Sequence, residues 1–148
     1  MKPGKLIAIL VAVLLAAPAG AQLAKGAGQR LKEGELKKAL LGIDMQGYSP
    51  SEQMSWRECI QPDGETLYEI PDRVLKGRLD ITPDGLACFS YSDDGYSTAG
   101  CFWTYRQGKD GLRFEADYKL PTGEPASIFV TTRVVTGVTS CKPKSLIS

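Results

Sequence analysis

Four cysteines, Cys59, Cys88, Cys101 and Cys141, are the side chains of this sequence with the most chemistry open to them. Thiolates can ligate zinc, attack a disulfide or oxidise in pairs, and spacing discriminates among these uses. The intervals of 29, 13 and 40 contain no C-x-x-C pair, which argues against structural zinc and against a catalytic redox pair. Two structural disulfides are the expectation, provided that the compartment is oxidising. Counting alone leaves every pairing of the four open.

Histidine is absent from the whole chain, which removes the commonest general base near neutral pH and the commonest metal ligand. A Ser-His-Asp or Cys-His mechanism is therefore excluded within this chain. Carboxylates are the other catalytic candidates. Asp93 and Asp94 are adjacent, and Asp63, Glu65, Asp80 and Asp84 also sit near turns. Glycoside hydrolysis needs two carboxylates on opposite sides of a bond, and a calcium loop needs ligands at EF-hand-like spacing. Here the acids fall in Pro-Asp-Gly and Asp-Gly turns, whose backbone geometry accounts for them. A carboxylate-based hydrolase is the least favoured function, and no catalytic residue, metal ligand or cofactor is assigned.

The compartment is read from the first 21 residues. Lys2 and Lys5 precede an apolar run over residues 6–17, and Ala19-Gly20-Ala21 supplies small residues for cleavage before Gln22. That run is too short to span a bilayer core of about 30 Å, and no cysteine follows it closely enough for lipidation, so no stable membrane anchor is expected. Removing residues 1–21 from 148 leaves 127, the size of one domain. The 18 Lys and Arg lose Lys2 and Lys5, leaving 16 against 17 acidic residues, a net charge of −1. Nucleic-acid binders carry a concentrated basic excess, so nucleic acid is not an expected partner. Asparagine is also absent, and with it any N-glycosylation acceptor. Together these features predict a bacterial periplasmic or secreted protein.

The elements that position these residues are short. Residues 22–30 read as a flexible lead-in and 31–41 as the only helix, with Leu31, Leu36, Leu40 and Leu41 near one stripe. Its mixed charge favours packing on its own domain over a membrane surface, and Gly42 is placed to end it. Strand texture follows over residues 55–61, 65–70, 77–81, 86–91, 98–106, 112–120 and 128–135, separated by Gly, Pro and Asp. The alternation from Leu112 to Leu120 is the cleanest of them. Strands joined by tight turns with no intervening helix predict an antiparallel meander. Such a sheet removes its edges by closing into a barrel or folding into a sandwich, and a small barrel with the helix packed on one end is preferred.

One hairpin specifies more than this. If Asp94-Gly95 is a two-residue turn, positions whose numbers sum to 189 face each other. Cys88 then opposes Cys101 closely enough to bridge, and by elimination Cys59 pairs with Cys141. In the same register Phe89, Tyr91 and Phe102 share one face, while Trp103 and Tyr105 share the other with Leu86. All five are candidate ligand-facing aromatics if the sheet encloses a pocket, and core residues if it does not.

The stretch from Leu40 to about Phe114 resembles a group of small exported bacterial proteins carrying a domain of unknown function. The residues behind this are Leu40-Leu41-Gly42, Gly47, Trp56, Glu58, Asp63-Gly64 and Tyr68, then Gly77, Cys88, Cys101 and Arg106. The resemblance implies a small β-rich fold, with no activity or functional residue attached to it. The leading expectation is an exported, non-enzymatic binding or accessory module, such as an inhibitor or subunit acting on another exported protein. Residues 92–97 or 121–125 would present its loop. The alternative is a lipocalin-like carrier of a small apolar ligand.

Overall fold

The computed structural model describes residues 28–93 and 95–144, so the leader 1–21, its cleavage site and Asp94 lie outside the described residues. Glu33–Leu40 forms α1, and strands β1 (Ile43–Ser49), β2 (Met54–Ile60), β3 (Glu65–Ile70), β4 (Arg73–Ile81), β5 (Leu86–Asp93), β6 (Tyr96–Gln107), β7 (Gly111–Ala116) and β8 (Ile128–Thr136) follow. Each strand pairs antiparallel with the next, and β8 returns to β1, so the sheet closes into a barrel. The barrel is the observed solution to the edge problem, and the sandwich is not.

Several boundaries differ from the sequence reading, most by one or two residues and a few by more. Residues 43–49 form a strand although Asp44 and Gly47 weaken its β propensity, because it is paired on both sides, by β2 and β8. β4 begins at Arg73, four residues before the predicted start, where it pairs with Ile70. The alternation after Leu112 continues to Leu120, but β7 ends at Ala116 and Tyr118 is 72% exposed. There the chain turns into a separate bend in which Ala126 N–H donates to Tyr118 and Leu120 N–H to Glu124. The lead-in is also tied at its end: Arg106 N–H donates to the Gln29 carbonyl, and Arg30 bridges Tyr105.

α1 starts where the Glu35 carboxylate accepts the Lys32 N–H at 2.9 Å, and Gly42 ends it at φ +73°. Its apolar stripe is not left to solvent. Leu31, Leu36 and Leu40 join Ile43, Ile60, Leu79, Ala87 and Leu112 in one core, and those strand residues all lie at the same end of the barrel. The helix closes that end. The other end, where β1 meets β2, β3 meets β4, β5 meets β6 and β7 meets β8, has no such plug among the described residues.

The β5–β6 register is the one expected, from Leu86 opposite Trp103 to Asp93 opposite Tyr96, and Cys88 is bonded to Cys101. Cys59 on β2 is bonded to Cys141 beyond β8. Two disulfides in a chain of this size belong to an oxidising environment. Outward positions carry Lys76, Arg78, Asp80 and Arg133, all exposed, while inward ones are mostly apolar, Glu58, Thr66 and Thr104 being exceptions. That is the inverse of a barrel that faces lipid.

Two inward glycines make room for rings. A Cβ on Gly47 would stand 2.6 Å from the Trp56 ring and one on Gly77 would stand 2.4 Å from the Tyr91 ring, each also inside contact distance of a neighbouring carbonyl. Each glycine sits directly across the ladder from the aromatic it accommodates. Gly47→Ala and Gly77→Ala are therefore expected to destabilise by about 1–3 kcal/mol each through overpacking. Gly34→Ala, in open space on α1, is expected to be neutral or to stabilise by up to about 1 kcal/mol. Urea unfolding of the three variants checks the contrast.

Candidate functional site

The inward side chains of β2, β3, β5 and β6 converge toward the unplugged end. Trp56 and Glu58 from β2, Tyr68 from β3, Phe89 and Tyr91 from β5, and Phe102 from β6 line a chamber of about 70 Å³, completed by Met45, Phe114 and Phe129. Tyr68, Phe89, Tyr91, Phe102 and Phe129 also wall a wider mouth of about 510 Å³, bordered by Tyr96, Thr98 and Tyr118. Period-two alternation makes this possible, since every second residue of each strand must enter the barrel. The rings lock edge to face: Trp56 lies 5.8 Å from Phe129 and Phe102 lies 5.6 Å from Phe129, while Tyr68 stacks on Tyr91 at 5.1 Å.

Of the five aromatics singled out in the sequence, Phe89, Tyr91 and Phe102 line this chamber. Trp103 and Tyr105 do not. Their parity on β6 places them on the outer face, where Arg30 lies 4.4 Å over the Trp103 ring. Glu58 was not read as a site residue. It could have been found: in residues 55–61 it shares its parity with Trp56 and Ile60, so an acid stands on the apolar face of a strand.

Glu58 is 3% exposed, and its environment is almost wholly aromatic. Burial pushes its carboxyl up to about 8, because the chamber offers the charge little solvation. The Tyr91 hydroxyl, which donates to Glu58 Oε2 at 2.6 Å, the Thr66 hydroxyl and the nearby Arg57 charge offset this only in part. Burial and the Glu58 charge raise Tyr91 in turn. The second carboxyl oxygen, Glu58 Oε1, and the indole nitrogen Trp56 Nε1 are both buried without a hydrogen-bond partner among the described residues, as are the Thr66 and Thr104 hydroxyls. A donor and a second polar atom therefore sit unpaired on adjacent inward positions of β2.

The preceding residue in the chain behaves oppositely. Arg57 points outward and is 1% exposed. Its Nε and Nη2 donate to the two oxygens of Asp44 at 2.8 and 2.9 Å, and Nη1 donates to Glu69. The segment beyond β8 covers this cluster: Lys142 O accepts from Arg57 Nη1, Lys144 N–H donates to Glu69, and Lys144 Nζ lies 2.6 Å from Asp44 Oδ2. Burial alone would raise Asp44, but the hydrogen bonds from Arg57 and Lys144 outweigh it and hold the carboxyl below its ordinary value.

The turn acids behave as turn residues. Asp63 Oδ1 accepts the Glu65 N–H at 3.0 Å, and Asp80 is exposed with Arg78 at 3.8 Å. Asp63, Glu65, Asp80 and Asp84 lie toward the helix end of the barrel, away from Asp93 at the mouth, so the structure does not gather them into one site.

These two buried acids give stability opposite pH dependences. Glu58 binds its proton more tightly in the folded state, so its contribution is fully present below about pH 4.5 and is lost as pH rises to about 8. Asp44 binds its proton less tightly when folded, so its contribution is present above its unfolded value of 3.8 and fades as pH falls below it. Glu58→Gln is expected to raise the Tm by several degrees at pH 8 and to leave it nearly unchanged at pH 4. Thermal melts across that range read the difference directly.

No protein-family model, curated protein or solved structure matches this chain. The functional reading therefore rests on the geometry of the chamber and its mouth.

Proposed function

We propose that this is an exported carrier that binds a small, mainly apolar molecule in the open end of its barrel. The observation that supports it most is the aromatic chamber, which leads into a mouth of about 510 Å³ and holds buried polar atoms that the protein leaves unpaired. A barrel of eight strands is wide enough either to fill its interior or to hold one small ligand. Here one end is filled by Leu31, Leu36 and Leu40, and the other keeps its space. The two disulfides and the apolar leader over residues 6–17 support export with cleavage before Gln22, in keeping with a bacterial periplasmic or secreted source.

A second reading is a module that docks on another exported protein. Tyr96 and Tyr118, both exposed, border the mouth, and exposed aromatics are enriched at protein interfaces. The turns at 92–97 and 121–125 lie at this same end.

A neutral fluorescent probe, N-phenylnaphthylamine, separates the two. Carriage predicts saturable, equimolar fluorescence enhancement by the disulfide-bonded protein. Thr98 borders the mouth and is exposed, so Thr98→Trp is expected to weaken the probe by about tenfold, an effect of roughly 1.4 kcal/mol. Absence of any enhancement would remove the carrier reading and leave the docking one.

A further inference from the structure

Accepting the carrier reading, we propose that the inner chamber selects a neutral apolar molecule bearing a carbonyl oxygen, held by Trp56 and Glu58. The two residues stand at i and i+2 on β2, so both side chains enter the barrel side by side, and each is 3% exposed. Tyr91 satisfies one Glu58 oxygen, while among the described residues Glu58 Oε1 and Trp56 Nε1 make no hydrogen bond; the Thr66 hydroxyl, itself unpaired, stands near Glu58 and lowers its carboxyl without closing on Oε1. Leaving a buried polar atom unpaired costs about 1–3 kcal/mol, and Glu58 and Trp56 border one chamber of about 70 Å³. A guest that pairs both recovers that cost.

The chemistry of the two atoms sets the chemistry of the guest. The indole N–H donates and cannot accept, so the guest must present an acceptor. An ammonium group would pair with Glu58 but leave the indole facing another donor. A carboxylate would meet Glu58 with no inward cation among the described residues to offset it, because Arg57 faces outward to Asp44 and Glu69. Glu58 holds its proton through neutral pH, since burial outweighs its hydrogen bonds. Its Oε1 then presents an O–H on the inward position next to the one that carries the indole N–H. A carbonyl oxygen has two lone pairs and accepts from both, whereas an alcohol doing the same leaves its own hydrogen unpaired. The aromatic walls take the hydrocarbon part.

The groups that face Glu58 are Tyr91 from β5 and Tyr68 from β3, with Arg57 behind it on the outer face. Both tyrosines are shifted upward by burial and stay protonated across the range in which Glu58 titrates. The selectivity is therefore tied to Glu58, and it fades as pH rises past about 8.

The test is displacement of N-phenylnaphthylamine by methyl nonyl ketone, undecane, undecylamine and undecanoate. The ketone is expected to displace the probe at about a tenth of the concentration needed for the alkane, the value of one well-made hydrogen bond. The amine and the carboxylate are expected to be weaker than the ketone. Trp56→Phe and Glu58→Leu should each shrink the ketone advantage while the probe still binds. Glu58→Gln keeps a donor and should keep the advantage at every pH, whereas the unaltered protein loses it above pH 8. Equal displacement by all four compounds, tighter binding of the amine, or an undiminished ketone advantage in Trp56→Phe would overturn this inference and leave carriage standing. Failure of the probe to bind at all would remove carriage and this inference together.

Discussion

Arg57 and Glu58 are neighbours in the chain, and the closed ladder sends them to opposite sides of one wall. Everything specific to this protein follows from that separation. A strand paired on both sides cannot slip by a residue without exchanging its inner and outer faces. In an open sheet such a slip affects one edge, but in a closed one it must be matched by every strand. The barrel therefore fixes which of two consecutive charged residues is buried among rings and which is buried among ions.

The two buried charges are handled by different physics. Arg57 keeps its charge because Asp44 and Glu69 flank it on β1 and β3, and because the segment tethered by Cys59–Cys141 lies over all three. Burying an ion pair rarely adds much net stability, since desolvation offsets attraction. Its value here is geometric: it matches three adjacent strands and the covering segment to one another. Among the described residues Glu58 has no counter-ion inside, so it gives up its charge instead of being paired, and it becomes a hydrogen-bonding group in an aromatic enclosure.

The barrel's two ends are equally unlike. At one, the leucines of α1 complete a core of strand-end residues, and little space remains. At the other, glycines opposite Trp56 and Tyr91 let rings lie flat against the wall, which leaves room in the middle. The place of Gly47 and Gly77 in the fold, each across the ladder from a ring, supplies a steric reason for both glycines. A well-packed interior tolerates few voids, so a cavity that is bordered by unpaired polar atoms stands out from an ordinary packing defect.

Much of this was legible from local chemistry. Alternation, turn residues and the Asp94-Gly95 hairpin fixed the β5–β6 register, the Cys88–Cys101 bridge and the inward parity of Phe89, Tyr91 and Phe102, because each depends on neighbours within a few residues. Cys59–Cys141 followed by elimination. The strand at 43–49 was not legible, since its stability comes from β2 and β8, one of them more than eighty positions away. Nor was the end of β7: the period-two pattern runs on to Leu120, and only the loss of a partner strand stops it. Glu58 was visible as an acid on an apolar face, yet its meaning depends on rings from five other strands that only barrel closure brings around it. Short-range periodicity sets which way a side chain points, whereas solvation is a property of everything that packs around it, and that is assembled from the whole chain.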